Sequence, residues 1–387
     1  MKITSIKAFP VRLPRDLDEA TGTAGSPTAL AAGGSGYRWS AVFPCLYSKN
    51  FETALVKIET DGGLTGWGEA QAPLAPEVAC EIVRLLLAPL WVGNEFPGDA
   101  ETIADWWEAM YLTMRVRGQT GGFMLDAISG VDMALWDLAG KMAEKPVSAM
   151  LTGTPKRKVK AYLSGLPAEG RKAAAARHWA EGFREFKLFF DTETEEEFFR
   201  GTGDLPAEAR FAVDALWRLR PETAVAFGKK CDAGGALWLE APLAPEDPLP
   251  HGALARSIET PLALGESYRT RYEMAPFFRE KAVGVYQPDL GRCGITEGMR
   301  LASLATRAGA SVVPHVSIAM GPQIAAALHY AAAVDSCLIA EYNPKVFPIA
   351  NRFLKTPLRM EGCHYVVPDG PGLGIEMDED ALARVAP

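Results

Sequence analysis

Residues 211–266 contain FAVD (211–214), LWLE (237–240) and PLALGE (261–266), each an apolar run that closes on a carboxylate. The three acids, Asp214, Glu240 and Glu266, recur at intervals of 26 residues. Such an interval holds one strand, one crossover helix and their loops. The pattern extends both ways: VKAYLSG (159–165) and FREFKLFF (183–190) upstream, VGVYQPDL (283–290), ASVVPHV (310–316) and CLIAEYN (337–343) downstream, with helical stretches between. Only residues 207–219 are ambiguous, since FAVDA looks like a strand end among helix-like neighbours. Repeated strand–helix alternation implies a parallel sheet. Seven or eight such units fit a closed barrel better than a doubly wound sheet, because no GxGxxG follows an early strand. The expected fold class is therefore α/β, a modified (β/α)7β barrel over residues 126–350.

The rest of the chain reads differently. Residues 1–13 alternate apolar and polar side chains as a strand does. Residues 51–67 read as a hairpin about a DGG turn at 61–63. Residues 76–111 and 123–144 read as helices from their apolar spacing. Between them these segments make an α+β domain, 1–125, which a turn-rich tail, 351–387, is expected to rejoin. Within it, residues 15–48 include TGTAGSPTALAAGGSG followed by YRWS, too small and glycine-rich for a core. A loop that long usually has a function of its own, such as a lid.

Composition narrows the class. The 387 residues carry 40 basic and 48 acidic side chains, a net charge of −8, which argues against a nucleic-acid binder. Hydrophobic residues at 48% and charged ones at 23% exclude wholesale disorder. No window approaches the ~18 apolar residues of a membrane span. The opening MKITSIKAFPVRLPRD lacks a secretory signal's apolar core and cleavage site. Six scattered cysteines without a CxxC pair exclude zinc-site spacing and suit a reducing compartment, so the expected location is the cytoplasm.

The C-terminal ends of barrel strands ring the active-site face. Consecutive strands would aim Asp214, Glu240 and Glu266 at one point, where bare carboxylates repel. Any one of them can end a strand by chance or cap a helix; three in register favour a hard divalent cation, magnesium by its taste for oxygen ligands. Of the five histidines, only His315 ends an apolar strand, and Asp289 ends the strand before it. A carboxylate there can fix the imidazole tautomer and raise its basicity. Lys187 lies inside the apolar FKLFF and needs a partner or a way out to solvent. Glu341 ends the last strand at the same rim. A magnesium ion, a His–Asp pair and a lysine around one cavity suit removal of a proton next to a carboxylate.

At this point the sequence resembles the enolase superfamily, specifically its mandelate racemase subgroup, along essentially the whole chain. MKITSIKAFPVRLP and VKIETDGGLTGWGEA are similar to the start of that family's capping domain, AISGVDMALWDLAGKMAEKPV to its lead into the barrel, and LWLEAPLAPED, LALGES, QPDLGRCGITEGMRLASLA and VVPHV to successive barrel segments. The resemblance implies that Asp214, Glu240 and Glu266 bind Mg2+, that His315 and Asp289 form the catalytic dyad, and that Glu341 hydrogen-bonds the substrate carboxylate. It makes Lys187 the first lysine of a Lys-x-Lys motif and 15–48 a specificity lid, within which Tyr37, Arg38 and Trp39 are the expected substrate contacts. It also implies a homo-oligomer acting on a small carboxylate; the charge balance and the lack of an apolar span add the expectation of no nucleic-acid or membrane partner.

Two positions depart from the family pattern. The second lysine is Phe189, and the residue two beyond Asp214 is Leu216 rather than a polar one. A racemase needs a base on each face of the carbon, and Phe189 removes the usual one. The expectation is therefore one-sided chemistry: His315 takes the α-proton and returns it to a departing β-hydroxyl, dehydrating a sugar acid to a 2-keto-3-deoxy acid. A racemase, epimerase or lactone cycloisomerase is the alternative that the retained Lys187 favours. An inactive binding protein is the third, and an intact dyad opposes it.

Overall fold

The computed structural model describes residues 1–14, 36–40, 45–166 and 169–385; most of the expected lid, 15–35 and 41–44, lies outside them. The capping sheet is antiparallel, in the order β1 (Ile3–Pro14), β4 (Asn50–Thr60), β5 (Thr65–Ala70). The hairpin turns where expected, Gly63 taking a positive φ of 79° and donating its N–H to Thr60. The end of the expected loop forms a two-stranded ribbon of β2 (Tyr37–Ser40) and β3 (Cys45–Ser48).

The single helix expected over 76–111 is instead interrupted. Helix α1 (Pro76–Ile82) continues through a π-helical turn, Val83–Leu87, into α2 (Ala88–Trp91), and α3 (Ala100–Arg115) starts afresh. Between them Gly93 and Gly98 adopt φ of 92° and 82°, and the Asp99 side chain accepts from Thr102 N at 2.8 Å. Left-handed glycines end a helix and an N-cap aspartate begins one, and this local chemistry outweighs the apolar spacing. Helix α4 (Gly122–Met142) is continuous across the boundary expected at 125/126. It lies directly on β5, where a Cβ on Gly68 would come within 2.0 Å of the Gly130 carbonyl oxygen. Only glycine permits that approach.

After the short α5 (Val147–Leu151), eight parallel strands form the barrel: β6 (Lys158–Ser164), β7 (Glu185–Phe189), β8 (Arg210–Asp214), β9 (Leu239–Glu240), β10 (Leu262–Leu264), β11 (Val285–Tyr286), β12 (Ser311–Val312) and β13 (Ile339–Tyr342). They pair in sequence order; β13 pairs back onto β6, and a Val312–Cys337 bridge closes the ring. The connecting helices are α6 (Arg171–Ala180), α7 (Glu195–Gly201), α8 (Pro221–Gly234), α9 (Pro248–Ser257), α10 (Arg271–Arg279), α11 (Leu290–Arg307) and α12 (Gly321–Ala333). This is the (β/α)7β barrel. The ambiguous 207–219 resolves into strand β8 and a turn, with helix only from Pro221.

Inside the barrel Tyr162, Ala212, Trp238, Ala263, Val285 and Val313 make an apolar floor. The two-residue period of a strand then brings polar residues two positions later onto the same inner face, one layer nearer the mouth. After α13 (Phe347–Asn351), the hairpin β14 (Arg359–Glu361) and β15 (His364–Val366) pairs on β6. Helix α14 (Glu379–Ala383) then reaches the capping sheet, where Glu379 accepts from Lys57 Nζ at 2.8 Å. Among the described residues no helix is long and apolar enough to cross a membrane.

Candidate active site

Two residues beyond the floor, the strands present Ser164, Asp214, Glu240, Gln287, His315 and Glu341, with Lys187 of β7 paired level with Ala212, all of them buried. Backbone register sets this ring. Asp214 pairs with Glu240 between β8 and β9, and Glu240 with Ala263 on β10, three residues before Glu266. The loops past the strand ends are held as well: Ala215 N donates to Glu240 O at 2.9 Å and Ala241 N to Ala263 O at 3.1 Å. Three non-glycine residues within three positions after Asp214 and Glu240 take positive φ, Leu216 (57°), Trp217 (54°) and Ala241 (43°). Each such residue costs on the order of 1–3 kcal/mol, and such strain concentrates at functional sites. Here it turns the Leu216 N–H back onto Asp214 Oδ1 at 3.0 Å.

The side chains divide into two linked groups. Lys187 Nζ sits among three carboxylates, 2.6 Å from Glu240 Oε1, 3.0 Å from Glu341 Oε1 and 3.6 Å from Asp214 Oδ2. The other Glu240 oxygen accepts from Gln287 Nε2 at 2.7 Å and Trp238 Nε1 at 3.1 Å. Across the mouth, His315 Nδ1 donates to Asp289 Oδ2 at 2.9 Å while Nε2 lies 2.6 Å from Glu266 Oε2. Asp289 Oδ1 in turn accepts from Gly291 N and Gln323 Nε2, both at 2.9 Å. The sequence-derived acids, lysine and dyad are thus brought to one rim, but Glu266 turns to His315 rather than towards Asp214 and Glu240. Among the described residues no three His, Cys, Asp or Glu side chains are already gathered as a metal cage.

The electrostatics follow from burial and charge. Burial, with Glu240 and Glu266 close by, holds the Asp214 carboxyl well above its ordinary range, against the pull of Lys187. For Lys187 burial favours the neutral amine, but Glu240, Glu341 and Asp214 outweigh it and keep the ammonium. Burial likewise opposes charge on His315; Glu266, Glu341 and Asp289 overcome it and raise the imidazolium well above its usual range. Glu266 is half-buried, and burial opposes its charge, yet His315, Lys187 and Arg292 bring it down to about 2. Among the described residues, the ion pairs of Asp214, Glu240, Glu266, Asp289 and Glu341 are therefore with Lys187 and His315, while Arg292 acts on Glu266 without pairing with it. An all-oxygen, over-acidic donor set of this kind fits a hard divalent cation.

The two departures lie on the lysine side. The Phe189 ring stands 5.6 Å from Lys187 Nζ, in the half-buried slot two residues nearer the mouth, and Leu216 is buried beside Asp214. Of the expected lid contacts, Tyr37 donates its hydroxyl to Glu52 Oε2 at 3.1 Å and accepts from Ala75 N at 2.8 Å, which makes it a strut between ribbon and cap. Arg38 and Trp39 pair through their backbones with Tyr47 and Leu46 in the ribbon. Sequence reasoning missed Ser164, Trp238, Gln287 and Gln323. The first three were findable, because Trp238 and Gln287 stand two residues before Glu240 and Asp289 and so share their inward face, while Ser164 is the end of β6. Gln323 had no such signal.

A closed barrel with acids on consecutive strand ends facing a His–Asp pair defines an enolase-type enzyme. The chain matches the mandelate racemase/muconate lactonizing enzyme N-terminal domain over residues 47–152 and the enolase C-terminal domain-like model over 171–381. It belongs to the mandelate racemase/muconate lactonizing enzyme family of the enolase superfamily, and it is an enzyme of that superfamily. It is 33% identical over 349 residues to D-galactarolactone cycloisomerase of Agrobacterium fabrum, covering 85% of this chain and 90% of the relative. It is 31% identical to arabinonate dehydratase of Saccharolobus solfataricus, over 84% and 87%. Among solved structures, a member of the enolase superfamily from Agrobacterium tumefaciens superposes with a TM-score of 0.92 at 28% identity, covering 100% of this chain and 99% of that one.

Proposed function

We propose that the protein removes the α-proton of a sugar acid and eliminates the β-oxygen, giving a 2-keto-3-deoxy acid. The observation that carries this reading is the asymmetry of the mouth. His315 is buttressed by Asp289 at 2.9 Å on one side, and on the other the place of a second base is filled by the Phe189 ring. Asp214, Glu240 and Glu266 would hold a magnesium ion, whose charge lowers the cost of the enediolate. Glu266 is the group whose departure from Nε2 frees the imidazole to act as base. His315 then accepts the α-proton, and the C–H electron pair spreads onto the substrate carboxylate as the enediolate. The pair returns to expel the β-oxygen, to which His315 gives the proton back. The enol left behind becomes the 2-keto acid. Glu341 and Lys187 would line the carboxylate end of the substrate, and Trp39 of the ribbon its far end; the Arg38 side chain lies outside the described residues.

The leaving β-oxygen decides the reaction type. A hydroxyl leaves as water, which is dehydration, the activity that the name of the arabinonate dehydratase relative carries. A lactone oxygen placed β to a free carboxylate leaves by the same step and opens the ring, and the 33% identity to a galactarolactone cycloisomerase favours this second reading. The test is a screen of mono- and diacid sugars and their lactones with Mg2+, read as 2-keto acid formation, with His315→Asn as control. His315→Asn should abolish exchange of the α-proton with solvent D2O; persistent exchange would place the base elsewhere.

A further inference from the structure

Glu69, in the GWGEA run of β5, is a fully buried carboxylate of the capping sheet that the proposed chemistry does not use. It reaches out of the cap and receives the N–H groups at the start of barrel helix α12. Met320 N lies 2.8 and 3.0 Å from its two oxygens and Gln323 N lies 3.1 Å from Oε2, while Thr53 Oγ1 donates to Oε1 at 2.8 Å. A carboxylate supplied from another domain thus caps a helix whose own N-cap, Met320, has no side-chain acceptor. The residue it pins, Gln323, extends its Nε2 to Asp289 Oδ1 at 2.9 Å. Among the described residues that Asp289 oxygen has one other donor, the Gly291 N–H. Gly291 is itself compelled: a Cβ there would lie 2.4 Å from Gln323 Oε1 and 2.9 Å from Gln71 Cβ of the cap. Gln71 completes the seam, its N–H bonded to Gly291 O at 2.8 Å and its Nε2 to Ser317 Oγ at 2.6 Å, two residues from His315.

We infer that Glu69 and Gln323 form a positioning unit through which docking of the capping domain sets the orientation of the Asp289–His315 pair. The chain of contacts runs from Glu69 through the α12 N-terminus and the Gln323 amide to Asp289, and from Asp289 Oδ2 to His315 Nδ1. An amide donor on Oδ1 fixes the plane of the carboxylate, and so the direction in which Oδ2 holds the imidazole. The cap is then more than a lid for specificity, since the base is aligned only when the cap is seated. The inference rests on His315 being the proton-transfer group, but its first test needs no substrate.

The test compares Gln323→Met, which keeps the length and removes the donor, with Glu69→Gln and the double variant. In the substrate-free protein, the Nδ1 proton of His315, hydrogen-bonded to Asp289, should give a low-field NMR signal. Both single variants should shift it upfield, with the fold intact by circular dichroism. With a substrate from the screen, kcat for α-proton exchange should fall about tenfold in each, while KM stays within about twofold, as for loss of an orienting hydrogen bond worth about 1.4 kcal/mol. The double variant should be no worse than Gln323→Met alone, because both changes cut one chain of contacts. An unshifted His315 signal in folded Gln323→Met overturns the inference, and so do fully additive losses. If Glu69→Gln does not fold, Gln323→Met still decides, since it leaves the seam between domains in place. A screen that finds no substrate would defeat the proposed function and leave the NMR result to stand by itself.

Discussion

Replacing Lys187 by Met tests the electrostatic account of the site most directly. The Lys187 side chain is 1% exposed, and its ammonium lies within 3.6 Å of Asp214, Glu240 and Glu341. Methionine fills nearly the same volume, so the change is almost purely one of charge. Removing one partner of a buried ion pair costs about 3–5 kcal/mol, because the remaining charge is left without compensation. With the entropy of unfolding of a chain of 387 residues, that is a fall in Tm of about 5 °C. The pH dependence is also fixed in sign. The folded state raises Lys187 above its ordinary value of 10.5, so its contribution is fully present below that pH and is lost only above it. In the variant a proton on Asp214, already held high by burial and its neighbours, can replace the missing charge as pH falls. The destabilisation should therefore be largest near pH 8 and shrink towards pH 5. Thermal melts followed by circular dichroism at the two pH values measure both effects. A variant within about 1 °C of the parent at pH 8, or one whose deficit grows on acidification, would refute the reasoning.

Glu240→Gln should abolish Mg2+ binding by calorimetry while leaving the protein folded; unchanged affinity counts against the ligand set. Glu69 is pushed up to about 7 by burial, above its unfolded 4.5, so the folded state keeps the proton longer and parent stability should decline by roughly 3 kcal/mol from this group as pH rises through that window. Urea melts at pH 5 and 7 should show Glu69→Gln losing that part of the slope, and parallel slopes would disprove it. Phe189→Lys supplies the missing second base. It should add epimerisation at the α-carbon to turnover, seen by NMR in D2O, and an unaltered product spectrum from folded protein would remove the support for one-sided chemistry.

Parts of this were legible in the chain itself. Asp214, Glu240 and Glu266 at intervals of 26 residues, with Asp289 and His315 ending later strands, specify both the barrel and its chemical rim. The reason is that strand period and crossover length are local properties, so side-chain direction can be counted along the sequence. Local chemistry read wrongly shows the limit. The apolar spacing of 76–111 hid the break that Gly93, Gly98 and Asp99 impose, and the composition of 15–48 hid the ribbon at its end.

Tertiary structure alone decided which groups meet. Glu69 reaches Gln323 across 254 residues of chain, and Gln323 reaches Asp289 from a different helix. Glu266 turns to His315 while Lys187 takes Asp214, Glu240 and Glu341. Spacing can aim a side chain at a cavity, but its partner there depends on how the burial cost of each charge is balanced against every other charge in the same small volume. That balance exists only once the barrel has closed and the cap is seated on it.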